Sequence, residues 1–233
     1  MSVRRAFLAA LVFTTLAGCA TPPRPEPAAV SAANDNGRSY RHMLDDALAN
    51  PAAADWSALR RAYAASPAYD PFVSVKPDGP NSTAALRRGD WQTAASLAEA
   101  AAAENAMDLR AHLNAYVADR QLGRIAAAET HHAVVVGSIR AILGTGDGTT
   151  PQTAFHVLAT SEEYVLLDTM GLKSQRQALI RQNGHDYDQL TAIHQPDGAP
   201  RVVFFNIDVS FAREKAVTLG SVKPIRQNDL PRP

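Results

Sequence analysis

The alternation of apolar and polar positions divides the chain into stretches of different period. Residues 6–16 form a largely apolar stretch of about 11 residues, with Arg4 and Arg5 before it and Ala17, Gly18 and Cys19 after it. Crossing a bilayer takes about 20 apolar residues, so this run has the layout of a secretory leader, residues 1–18. Residues 19–39 show no period and carry Pro22, Pro23, Pro25, Pro27 and Asn34-Asp35-Asn36-Gly37, the composition of a disordered tether. Over residues 40–143 the apolar positions recur at helical spacing. One helix is expected over 40–48. Asp55 caps a second, with Trp56, Leu59 and Tyr63 on one face and an end at Ser66-Pro67. Pro71, Pro77, Gly79 and Pro80 make 67–81 a loop. Helices resume at Ser82, with apolar faces supplied by Leu97, Leu109, Leu113, Tyr116 and Val117. The last, residues 125–143, bears Val134, Val135, Val136, Ile139, Ile142 and Leu143. A face that apolar predicts a helix packed against whatever follows.

After Gly144 the period shortens. Residues 145–151 are a turn cluster, and 155–159 read as a strand. Ser161 is the expected cap of a short helix whose first turn holds Glu162 and Glu163, acids that suit the helix dipole, and Gly171 ends it. A strand over 175–181, a turn at Asn183-Gly184, and a hairpin of 187–194 with 201–209 around Pro196-Asp197-Gly198 complete the pattern. Val203, Phe205, Ile207 and Val209 would share one face of the final strand. The fold class predicted is α+β: a helical region over 40–143, then a small, mostly antiparallel sheet with one short helix over 144–215, packed on helix 125–143. Residues 216–233 form a polar tail.

Charge narrows the function classes. Lys and Arg total 23, as do Asp and Glu; without Arg4 and Arg5 of the leader, 21 basic residues face 23 acidic ones, a net of about −2. So weak a field does not steer nucleic acid or hold anionic lipid. Cys19 is the only cysteine, which excludes an intrachain disulfide and a thiolate metal cluster.

The residues Leu16-Ala17-Gly18-Cys19 resemble the lipobox of bacterial lipoproteins. That resemblance implies a diacylglycerol on the Cys19 thiol, cleavage just before it, and acylation (a palmitate-type chain) of the new amine. Several acyl chains at about 0.8 kcal/mol per buried methylene anchor stably where one does not. Ala20, in place of an Asp at that position, implies delivery to an outer membrane, facing the periplasm. A second resemblance lies in the helices. Gly89, Trp91 and Ala94 recur 34 residues later as Gly123, Ile125 and Ala128, similar to a tetratricopeptide helix pair. A third is to an uncharacterised domain of exported bacterial proteins, with no assigned activity. Its carriers are Ser138-Ile139, Gly146-Asp147-Gly148-Thr149, Thr153-Ala154-Phe155, Glu162-Glu163-Tyr164, Gly171-Leu172, Gln177, Tyr187-Asp188 and Phe204-Phe205-Asn206-Ile207.

The residues offer little reactive chemistry. Gly144-Thr145-Gly146-Asp147-Gly148 lacks the Lys-Ser/Thr of a phosphate loop and follows a helix. His131 and His132 would point about 100° apart on a helix, His112, His156, His185 and His194 are scattered, and no metal site or cofactor is expected. Ser138 and Ser161 lack a nucleophile elbow. The residues left as a candidate polar site are Asp147, Glu162, Glu163, Asp186 and Asp188, which would serve an enzyme or small-ligand binder only if they converge around 144–150, 162–163 and 186–188. The leading expectation is an envelope lipoprotein held by lipid on Cys19, non-catalytic, with the helical region docking a protein partner.

Overall fold

The computed structural model describes residues 28–72 and 81–220; Cys19, the leader and the end of the tail lie outside them. Three aspartates and an asparagine set the starts of the helical half. Asp55, Asn81, Asp90 and Asp108 each accept the backbone N–H three residues on, at 2.8, 2.8, 3.2 and 3.1 Å, satisfying a donor that a helix start would leave unpaired. They precede α2 (Trp56–Ala65), α3 (Ser82–Arg87), α4 (Trp91–Glu104) and α5 (Leu109–Gln121). Before them runs α1 (Ala28–Ala49) and after them α6 (Ile125–Leu143). The start of α1 shortens the tether expected over 19–39: Ala28, Ala29, Ala32 and Ala33 favour helix strongly enough to extend it upstream of Tyr40.

Gly89 and Gly123 stand at φ +72° and +73° in the turns α3–α4 and α5–α6, a conformation side chains with a Cβ resist. Between these hairpins the contact is made of Ala85, Ala94, Ala95 and Ala118, all fully enclosed. Small side chains let the backbones approach. A second core joins Tyr40, Trp56, Leu59, Tyr63, Tyr69, Met107 and Val134. Gly137 of α6 admits the Trp56 indole there, since a Cβ would lie 2.2 Å from the ring.

The chain's third part is a four-stranded sheet, β1 (Phe155–His156), β2 (Leu172–Gln182), β3 (His185–His194) and β4 (Pro200–Asn206), in the order β1-β4-β3-β2. The pairs β2–β3 and β3–β4 are antiparallel and β1 runs parallel to β4. Asn183 and Gly184, at φ 53° and 87°, form the turn of the β2–β3 hairpin, the twist-matched geometry such turns require. α7 (Thr160–Thr169) precedes β2, and α8 (Asp208–Thr218) follows β4.

Three expectations are corrected. The strand over 155–159 pairs only at Phe155 and His156. Ser161 is not the cap of α7: the helix begins at Thr160, and Glu162 reaches back to accept the Leu158 N–H at 2.7 Å. The last strand stops at Asn206, because Asn206 Oδ1 accepts the Asp208 N–H at 3.1 Å and Asp208 accepts the Asp186 N–H at 2.7 Å. Such local side-chain bonds compete with a ladder. Val209 therefore starts a helix and is exposed, while Val203, Phe205 and Ile207 are buried, and α8 occupies the first residues assigned to a tail.

Helix α6 does cover the sheet, through Val135 and Ile142, but shares the task with Leu109 of α5 and with Val165, Leu166 and Leu167 of α7. Three consecutive buried residues mean that α7 is enclosed on more than one side. Among the described residues no helix is long and apolar enough to cross a membrane.

The two larger cores meet at an enclosed ion pair. Arg60, on the buried face of α2, engages Glu162 of α7 through both guanidinium nitrogens, Nη2 donating to Oε2 at 2.8 Å, and Nη2 also reaches the His156 carbonyl at 3.4 Å. Breaking one side of such a pair strands a charge in the interior, at a cost of about 3–5 kcal/mol. Arg60→Ala and Glu162→Ala are each expected to destabilise by that amount, and Arg60→Met with Glu162→Leu to recover most of it. Urea unfolding checks this, and equal losses in the single and double variants would refute it.

Candidate functional site

The five acids singled out above meet four different fates. Asp147 is exposed and serves its own loop: Thr153 Oγ1 donates to it at 2.5 Å, and Thr149 donates through N at 2.9 Å and Oγ1 at 2.8 Å. Those bonds pull its carboxyl down to about 2. It does not join the others. Glu162 is consumed by Arg60 and the Leu158 N–H. Asp186 lies between two cations, Arg181 Nη1 at 3.5 Å and Lys215 Nζ at 3.6 Å.

Glu163 and Asp188 are the pair brought together. Strand β3 alternates faces, so Asp186, Asp188, Leu190 and Ala192 point inward towards the helices. The register sets Leu179 opposite Asp188 and Gln177 opposite Leu190. Gln177 Nε2 donates to Asp188 Oδ2 at 2.6 Å, and Gln177 Oε1 accepts from the Tyr164 hydroxyl at 3.0 Å. This fixes the Asp188 carboxylate from the exposed side of α7. Behind it Glu163 is wholly enclosed, and the Asp188 carboxylate is the acceptor that its carboxyl group faces.

Burial first, then the Asp188 charge and Glu162, push the Glu163 carboxyl up to about 9, and burial raises Asp188 as well. Two carboxylates in one low-dielectric pocket do not both ionise. At neutral pH the proton therefore sits on Glu163 and the pair carries one negative charge.

Asp188 opens on a cavity of about 200 Å³ whose walls include Phe72, Leu179, Ile207 and Phe211, with Glu214 at one side. A larger surface groove of about 420 Å³ lies by Trp56, His132 and Arg140. Its indole already donates to the Pro51 carbonyl at 3.1 Å, and its imidazole stacks on Tyr116 at 4.8 Å. The smaller cavity is the better candidate, because the Glu163–Asp188 pair stands at its wall.

Arg60, Tyr164 and Gln177 were not singled out as site residues. Arg60 could have been found: it follows Trp56 by four residues, on the apolar face of α2. Nothing local marks Gln177. The histidine pair was also missed: His112 Nδ1 lies 2.9 Å from His131 Nδ1, across the α5–α6 interface, and His131 Nε2 lies 3.9 Å from the buried Asp119. His112 Nε2 faces the Ala106 carbonyl at 3.1 Å. A carbonyl only accepts, so His112 Nε2 carries the proton and its Nδ1 accepts from His131. Burial, then His131, lowers the His112 pKa to about 4. Among the described residues no group of three or more His, Cys, Asp or Glu stands close enough to hold a metal ion.

Glu163 also sets a pH dependence. In the fold it keeps its proton up to about pH 9, whereas at its ordinary value of 4.5 the unfolded chain has lost it. The folded state then binds the extra proton between those values, so stability falls as pH rises through the window. At about 1.4 kcal/mol per unit the loss is a few kcal/mol by pH 8. Glu163→Gln is expected to raise Tm by several degrees at pH 8 and by much less at pH 5. A gain of the same size at both pH values, read by thermal melts, would contradict the raised pKa.

No curated protein and no solved structure matches the chain. A family model, the domain of unknown function DUF4919, matches residues 40–215, a span that takes in α2–α7, the whole sheet and both acids of the pair. The chain belongs to that family.

Proposed function

We propose that this chain is an envelope lipoprotein, anchored by lipid on Cys19, whose domain over 40–215 binds a small ligand without transforming it. The observation that carries the ligand reading is the Glu163–Asp188 pair: an enclosed neutral acid held against a carboxylate that opens on a cavity. Burying two acids side by side costs stability, a cost that a core without a further role would shed by substitution. Binding fits better than catalysis, since a general acid must come within hydrogen-bond reach of its substrate and Glu163 has no exposed surface.

Support for the anchor is the Leu16-Ala17-Gly18-Cys19 sequence after a short apolar run. A second reading is a protein partner docked on the helical half. It is favoured by the groove at Trp56, His132 and Arg140, and by Gly89 and Gly123 at matching turns 34 residues apart, as in a tetratricopeptide array. Two such units are fewer than the three that usually stand alone, so on that reading the sheet takes the place of a capping repeat.

An alkyne-tagged palmitate fed to growing cells is expected to label the chain, and Cys19→Ser to remove the label and release the chain from the membrane fraction. Retained label in that variant would end the anchor proposal. For the cavity, small organic molecules that stabilise the protein in a thermal-shift screen are expected to perturb the amides of Thr160, Asp188 and Phe211. Leu179→Trp, which carries an indole across the mouth from an exposed position, is expected to abolish those effects without lowering Tm. Hits that survive it would remove the cavity from the proposal.

A further inference from the structure

The cavity beside Asp188 has a composition that selects among ligands. Its apolar walls are Phe72, Leu179, Ile207 and Phe211, and its charged groups are the carboxylates of Asp188 and Glu214, with no basic side chain among the described lining residues. Phe72 and Leu179 are two of the chain's exposed large hydrophobics, at 40 % and 57 %, and they stand together at the rim.

The protein itself shows how this surface treats a cation. Lys215 places its ammonium 4.0 Å from the centre of the Phe211 ring and 3.6 Å from Asp186, an aromatic face and a carboxylate sharing one positive charge. Asp188 lies two residues along β3 on the same inward face, near the same Phe211. It differs in having no cation beside it among the described residues. Its Oδ2 is held by Gln177, and the Glu163 carboxyl stands against it from the enclosed side.

Resting on the ligand-binding reading above, we infer that this cavity binds a small organic cation, a protonated amine carried on an apolar body. The ammonium pairs with the Asp188 carboxylate, and the body lies between Phe72, Leu179 and Phe211. The neutral Glu163 behind Asp188 keeps the pair at a single negative charge, which one amine neutralises; a second ionised carboxylate there would leave the enclosed site charged. Gln177, held by Tyr164, orients the carboxylate. A volume of about 200 Å³ accommodates a ring or short chain with one amine and falls short of the usual range for drug-sized ligands.

The test titrates the purified full chain with benzylamine and with its uncharged counterpart benzyl alcohol, following backbone amide shifts. Benzylamine is expected to bind with a Kd on the order of 1 mM, as so small a contact area allows, at least tenfold tighter than the alcohol, with shifts centred on Phe72, Leu179, Asp188 and Phe211. Asp188→Asn is expected to abolish the tenfold preference. Glu214→Gln, at the side of the cavity, should weaken it about threefold and leaves the enclosed pair untouched, so the inference stays testable if Asp188→Asn fails to fold. Nα-acetyl-lysine amide is a second cation: tighter binding than benzylamine assigns the amine to a peptide's lysine, and weaker binding to a free molecule. Equal affinity for amine and alcohol would overturn the cation inference and leave the cavity as a ligand site. No shifts at those residues with either compound at 20 mM would overturn both.

Discussion

A guanidinium enclosed between two hydrophobic cores sets a condition that much of the surrounding structure meets. Arg60 comes from α2, among the tyrosines and Trp56 of the helical half, and Glu162 comes from α7, beneath the sheet. Enclosing either charge alone would be prohibitive, and enclosing both is tolerable only when each donor and acceptor finds a partner. The His156 carbonyl at the end of β1 and the Leu158 N–H complete the set. The ion pair thus ties the first turn of α7 and the end of β1 to α2 of the helical half. Tyr69 adds a second link between the halves, its hydroxyl donating to the Leu158 carbonyl at 2.7 Å.

With Glu162 committed to Arg60, its neighbour Glu163 turns to a different environment. Successive residues on a helix diverge by about 100°, so one acid faces the cation and the other faces β3. There the only nearby charge is of the same sign, and protonation is the way the enclosed acid avoids a bare charge. Two adjacent glutamates of the same first turn therefore end in different settings, one paired with a cation and one neutral against another acid. The same contrast runs along β3, where Asp186 is flanked by Arg181 and Lys215 and Asp188 by Gln177 and Glu163. Each acid's state follows from what the opposing element presents. An ionised acid within reach of an apolar cavity is then the arrangement from which the ligand-binding reading grows.

The chain shows how far local rules carry. The helix start after Asp55 was legible because a cap bonds within three residues of itself, and the turns at Gly89, Gly123 and Asn183-Gly184 because backbone sterics there concern one or two residues. The alternation of Val203, Phe205 and Ile207 correctly marked a buried face. It failed two residues later, at Val209, because the period continues through a point where Asn206 and Asp208 form their own backbone bonds. Glu162 and Glu163 were expected as dipole-suited acids of a first turn, and the structure buries both. No feature of Ser161-Glu162-Glu163 announces an arginine 102 positions earlier.

By itself, then, the sequence determined the mixed α+β class and most of the elements between Tyr40 and Asn206, though not α8, along with the near-neutral charge and the one cysteine in its lipobox-like setting, all consequences of composition or of interactions a few residues long. Tertiary structure alone decided which carboxylates meet. Hydrogen bonding and ionisation depend on distances of a few ångströms between residues far apart in the chain, and the register that sets Asp188 against Gln177 and beside Glu163 is fixed only when the helices close over the sheet.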